Sequence, residues 1–141
     1  MKLDLTDYTN VVPGGIGVGG VTSPWVSTQG NARVHAILAF NAVAETITVT
    51  ATQASDSSGT GAKSLNISHT YARYGIATTF TQATVGAGNF NVTPAAAGVT
   101  VVEFDVAGLD VNANFSHIRI ALTGSTTRVQ SMVFLPMGGK I

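Results

Sequence analysis

The sequence predicts an all-β fold, a single-domain β-sandwich or jelly roll with an extended glycine-rich N-terminal arm. Three observations carry that reading. Runs of alternating apolar and polar residues recur along the chain, and turns rich in glycine, serine and threonine separate them. No window carries the three-to-four-residue apolar period of an amphipathic helix. Short strands at regular spacing with turns between them are the mark of a sandwich or barrel. With 141 residues, one domain buries about two thirds of its unfolded surface, enough for a core without metal or disulfide staples.

Residues 1–30 read as the arm and residues 31–141 as the sandwich. Leu3-Asp4-Leu5-Thr6-Asp7-Tyr8 suits an edge strand, and Pro13-Gly14-Gly15-Ile16-Gly17-Val18-Gly19-Gly20 is a flexible stretch. Gly15, Gly17 and Gly20 match G-x-G-x-x-G, but a dinucleotide site needs a strand before it, a helix after it and an acidic residue about 20 positions on. Ser23-Pro24 comes next instead, and the residue before a proline is biased to extended backbone, so no helix starts there.

From Ala32 to Phe40 a strand places Val34, Ala36, Leu38 and Phe40 on one face and Arg33, His35, Ile37 and Ala39 on the other. Both faces are partly apolar, as in a central strand or one covered by a neighbouring subunit. The clearest signal is Thr46 to Ser68, read as a β-hairpin. Ile47, Val49 and Ala51 share one face, Thr46, Thr48, Thr50 and Thr52 the other; residues 55–61 make a loop, and Leu65 and Ile67 resume the alternation. Tyr71 to Gly75 is a turn or short strand. Ala77 to Val85 is a threonine-rich strand broken by residues 86–89, and Ala95 to Gly98 is a loop. Val99 to Val106 and Ser116 to Leu122 are strands, the latter with Ile118, Ile120 and Leu122 inward. Val129 to Leu135 is a strand that Pro136 is expected to stop.

Seven Lys plus Arg balance seven Asp plus Glu, and the isoelectric point is near 6.8, so there is no basic footprint for nucleic acid or anionic lipid. Charged residues are 10 %, against roughly 25 % in typical soluble domains. Hydrophobic residues reach 45 %, and the mean hydropathy is +0.31. A surface so poor in charge associates readily, which points to a subunit of an assembly, a closed homo-oligomer with a trimer favoured. No apolar run reaches the roughly 18 residues of a membrane-spanning helix. Residues 1–10 lack the apolar core of a signal peptide, so the chain is expected to be made in the cytoplasm.

Motifs for chemistry do not assemble. There is no cysteine, hence no thiolate nucleophile, disulfide or thiolate metal site. His35, His69 and His117 fall on different strands, each without a second ligand at metal spacing. Gly59 to Ser64 differs from a phosphate loop because Ala62 stands between Gly61 and Lys63 and a strand, not a helix, comes after it. Asp110, Asn112 and Asn114 have the alternate spacing of a calcium loop. Phe115 replaces its glycine and Ala121 its glutamate, which leaves self-bonded turns, or an irregular site with Asp105. The sequons at Asn66, Asn91 and Asn114 carry no weight without a secretory route. Neither catalytic residues nor a cofactor are expected.

Residues 48–63, T-x-T-x-x-Q-A-S-D-S-S-G-T-G-A-K, together with V-V-E-F-D-V-x-x-L-D at 101–110 and F-S-H-I-R-I at 115–120, resemble small virion structural proteins of tailed bacteriophages. Such proteins are β-sandwiches or β-barrels that decorate or cement the capsid, or form head spikes and fibres, commonly as homo-oligomers. The resemblance implies a capsid decoration protein located in the virion, with itself and the major capsid protein as partners. Tyr8, Val12, Pro13 and Trp25 of the arm are the candidate contact residues. The alternatives are a carbohydrate-binding jelly roll, with Tyr8, Trp25, Tyr71 and Tyr74 as its aromatic candidates, and a head or tail fibre-type adhesin.

Overall fold

The computed structural model describes residues 10–13, 21–28, 31–40, 46–93, 96–105, 109, 114–124 and 129–140. Among them there is no helix; the fold is all-β, two antiparallel sheets packed face to face. The larger sheet has the order β1 (Asn10–Pro13), β12 (Val129–Lys140), β4 (Asn31–Phe40), β10 (Gly98–Asp105), β7 (Ile67–Tyr74), β8 (Thr81–Ala87). The smaller runs β2 (Val21–Thr22), β11 (His117–Thr123), β5 (Ile47–Ala54), β6 (Lys63–Ser64), with β3 (Val26–Ser27) also on β11 and β9 (Asn89–Val92) also on β5.

The period-two pattern decides which residues fill the space between the sheets. From the larger sheet come Val34, Ala36, Leu38 and Phe40, then Ile67, Val102, Phe104, Met132 and Phe134. Ile47, Val49 and Ala51 of β5 oppose them with Ile118, Ile120 and Leu122 of β11. All are at most 1 % exposed. Each large side chain so buried contributes roughly 1.5–3 kcal/mol from removal of apolar surface from water.

The hairpin expected over Thr46 to Ser68 forms only at its tip. β6 pairs with β5 for two residues, Thr52 with Ser64 and Gln53 with Lys63. The Leu65 amide then donates to the Ala51 carbonyl (3.1 Å), and the chain crosses to the larger sheet as β7. The remainder of β5's edge is taken by β9, with Ile47 opposite Val92 and Val49 opposite Phe90. Leu65 and Ile67 do enter the core, but from the crossing and from the other sheet. Burial on either sheet leaves the same alternation in sequence.

Two strand ends also move. Ala77 to Phe80 lies in the connection that begins at Gly75, and the strand runs from Thr81 through Gly86 to Ala87. β7 absorbs Tyr71 to Tyr74 as regular strand. Pro136 does not stop β12. Beyond Phe134, where the described part of β1 ends, β12 continues along β4 with Pro136 opposite Val34.

The described parts of residues 1–30 are strand. Asn10–Pro13 adds to β12, and residues 21–28 run along β11 as a broken strand. Ser23 bridges the break: its amide donates to the Ile120 carbonyl at 2.9 Å, and its hydroxyl accepts from the Ile120 amide at 3.1 Å. Pro24, without an N–H, occupies the interruption.

Phe104→Ala is expected to lower stability by about 3–5 kcal/mol, because a fully buried ring leaves a cavity between the sheets. Thr48→Ala removes one exposed hydrogen bond to Asn91 and is expected to change stability by less than about 0.5 kcal/mol. Chemical denaturation of the two variants measures both.

Candidate partner-binding surface

Alternation that turns Val34, Val102, Phe104 and Ile67 inward turns their neighbours outward. On the outer face of the larger sheet, register aligns Val133, Ile37, Val101, Tyr71 and Gln82 in one row across β12, β4, β10, β7 and β8. The next row reads Leu135, His35, Glu103, His69 and Thr84, and a shorter one Ala39, Val99 and Arg73. Most of these outward residues are aliphatic or aromatic, and the charged ones in the three rows are Glu103 and Arg73.

Glu103 gathers three polar side chains. His35 Nε2 donates to Glu103 Oε2 at 2.9 Å, and His69 Nδ1 lies 3.8 Å from Oε1, buried and without a hydrogen bond. β7 carries one extra residue against β10 here, and that bulge presents Ser68 to Glu103. The Ser68 hydroxyl donates to the Glu103 carbonyl at 3.0 Å and stands 3.4 Å from Oε1. The carboxylate thus accepts from one imidazole, His35, with the second beside it; Ser68 contacts the carboxylate and backbone, so this geometry makes no serine–histidine relay. Among the described residues no three His, Cys, Asp or Glu side chains converge in a metal-holding arrangement. Beside this cluster, His35, Tyr71, Phe80 and Val101 line a shallow apolar groove of about 320 Å³. The Arg73 guanidinium lies over the Phe80 ring, 5.2 Å from its centre.

Three of the four sequence candidates are in the described residues. Tyr8 falls outside the described residues, as do Asp110 and Asn112 of the calcium-like spacing. Val12 and Pro13 belong to β1, paired with Met132 and Ser131. Trp25 is half-buried, and the Arg119 guanidinium stacks over its ring at 4.4 Å. Gly59 at the tip of the β5–β6 loop has φ +84°, and a Cβ there would stand 2.5 Å from Trp25 Nε1. Only glycine satisfies both the left-handed backbone and this approach. Of the aromatic candidates for sugar, Tyr74 turns inward and its hydroxyl bonds that of buried Thr100; burial pushes its phenol pKa up, which the Thr100 bond partly opposes. Tyr71 alone lines the groove.

Sequence reading missed the pairing of His35 with His69 through Glu103. The outward positions of His35 and Glu103 were legible from alternation, but that of His69 depends on the bulge at Ser68, and the strand order that makes β4, β10 and β7 neighbours has no local signal. The sequence matches no protein-family model and no curated protein.

At the loop tip, Asp56 Oδ1 accepts from the amides of Ser58 (2.9 Å) and Thr60 (3.1 Å). The bond to the Thr60 side chain, followed by that to the Thr60 amide, holds the Asp56 carboxyl below its ordinary pKa of 3.8. A lowered folded-state value means that the carboxylate supports the loop above the ordinary pKa and loses that support as pH falls through the lowered one. The amide resonances of Ser58 and Thr60 are therefore expected to hold steady from neutral pH to about pH 5 and to shift only in stronger acid. NMR titration reads this, and Asp56→Ala should abolish the acid transition.

Proposed function

We propose that the chain is a structural virion protein of the decoration or cement type found on tailed-bacteriophage heads. In this reading it acts as a closed homo-oligomer, trimer favoured, bound to the lattice of the major capsid protein. The observation that carries it is the outer face of the larger sheet, where Val133, Ile37, Val101, Tyr71 and Phe80 form a half-exposed apolar band on a chain that is only 10 % charged. Contiguous exposed apolar surface marks interaction sites. The resemblance of residues 48–63, 101–110 and 115–120 to virion proteins supports the same reading.

A second reading has one observation in its favour: Tyr71 and Phe80 line a groove with His35 at its rim, the furnishing of a small sugar site. Saturable glycan-array binding that is lost in Tyr71→Ala would establish it.

Purified protein is expected to co-sediment with undecorated phage capsids. Val101→Lys, which sets a charge in the middle of the apolar band, should weaken that binding at least tenfold while leaving the circular dichroism unchanged. Wild-type protein that neither co-sediments with capsids nor occurs in purified virions by mass spectrometry removes the decoration reading.

A further inference from the structure

We infer that β8 is a contact between copies of this chain, through which two larger sheets join edge to edge about a twofold axis. The inference rests on the self-association part of the proposed function and goes beyond it by naming the strand, the register and the symmetry.

β8 closes one side of the larger sheet, with β7 on one edge and, among the described residues, no strand on the other. Six of its seven residues are exposed and Val85 is half-buried, so the strand is open on both faces as well as along its edge. Backbone pairing to β7 is its main attachment. An open edge offers a row of unpaired N–H and C=O groups, and soluble proteins guard such edges with lysine, proline or inward charges. Here lysine, proline and charge are missing, and the one guard present is a bulge between Thr84 and Ala87. Thr81 to Ala87 reads TQATVGA, and no charged residue occurs between Arg73 and Glu103.

The same absence of charge selects a second copy as the occupant. When identical strands pair antiparallel about a twofold axis, the axial residue meets its own copy and its neighbours lie close to theirs, so a charge near the axis would meet its like at a cost. β8 carries none to repel. Its pairing with β7 is regular from Thr81 to Thr84, and the proposal places the axis within that stretch, at Ala83. That register sets Phe80 of one copy opposite Gly86 of the other. Phe80 is 47 % exposed, and where a Cβ on Gly86 would stand no atom lies within 4 Å. An aromatic ring laid across an edge glycine restores the packing that glycine lacks. Ile76, in the same connection, is fully exposed.

A seven-residue edge is about 23 Å long, and such a contact falls at the low end of specific interfaces, below about 1,200 Å² in total. Association is therefore concentration-dependent. A twofold contact gives a dimer when it acts alone and links closed oligomers in pairs when another contact is present. Either way the copy number is even.

Native mass spectrometry and light scattering over a dilution series of the full chain test this. Wild type is expected to show an even copy number at high concentration, and Ala83→Lys, a change at an exposed edge position, half of it. Phe80→Ala should weaken the same step about tenfold, and circular dichroism confirms that both variants are folded. Because the chain has no cysteine, Ala83→Cys supplies a single thiol, expected to give a disulfide-linked dimer under mild oxidation. An oligomer whose copy number ignores Ala83→Lys, or that gives no cross-link from Ala83→Cys, overturns the β8 contact and leaves self-association standing. A wild type that stays monomeric at every concentration overturns self-association itself.

Discussion

The structure depends on the burial of two inward faces against each other. Leu38, Phe40, Phe104 and Phe134 from one sheet meet Val49, Ile118, Ile120 and Leu122 from the other, each essentially without solvent exposure. Register is set by this, because a slip of one residue would carry a whole apolar set into water. So is the composition of the outer faces. His35, Glu103 and His69 point outward together because Val34, Phe104 and Thr70 point inward, the bulge at Ser68 having shifted the alternation after Ile67. The surface is the complement of the core, and a functional claim about one is a claim about the parity of the other.

Where the chain leaves the sheets, polar groups are satisfied by local devices. Gln53 reaches the core side of β5 and its amide donates to the Ser64 carbonyl at 2.8 Å, which ties the short β6 return to its partner. The loop beyond is held by the Asp56 carboxylate and docked by its tip on Trp25. Two cations cover aromatic rings at this end, Arg119 over Trp25 and Lys63 over Phe115 at 4.8 Å. Each such stack is worth roughly 0.5–1 kcal/mol where water reaches it. Trp25 thus spends one face of its ring on internal packing and connects residues 21–28 to a loop that sequence places far away.

Alternation alone made the strand content and the inward residues of β4, β5 and β11 readable, since each buries one face and solvates the other. What it left unread was adjacency. Leu65 and Ile67 look like the continuation of a hairpin whether they pair with Ala51 or cross to another sheet, and only the arrival of Asn89 to Val92 on β5 tells the two apart. Pro136 misled because a proline costs a strand one ladder hydrogen bond, and β12 keeps its pairing with β4 on both sides of it, Leu135 with His35 and Met137 with Arg33. The histidines were legible one by one, and their convergence on Glu103 was not, because it depends on strands separated by long stretches of chain.

The low charge of the sequence acquires a location once the sheets are drawn. Charge does appear on the larger sheet, at Arg33, Glu103 and Arg73, and it is missing from β8 and from the connections on either side of it. A residue-average cannot distinguish a protein that is evenly poor in charge from one with a bare edge, and the two behave differently. An even deficit lowers solubility everywhere; a bare edge with both faces open directs association to one strand. The proposed face and edge contacts then adjoin at Phe80, which borders both. An apolar face can lie on a lattice of another protein while the edge, perpendicular to it, meets a copy in the same plane. A sandwich with both features extends a surface layer laterally while remaining attached beneath, and this geometry suits a molecule that works in many copies better than one that works alone.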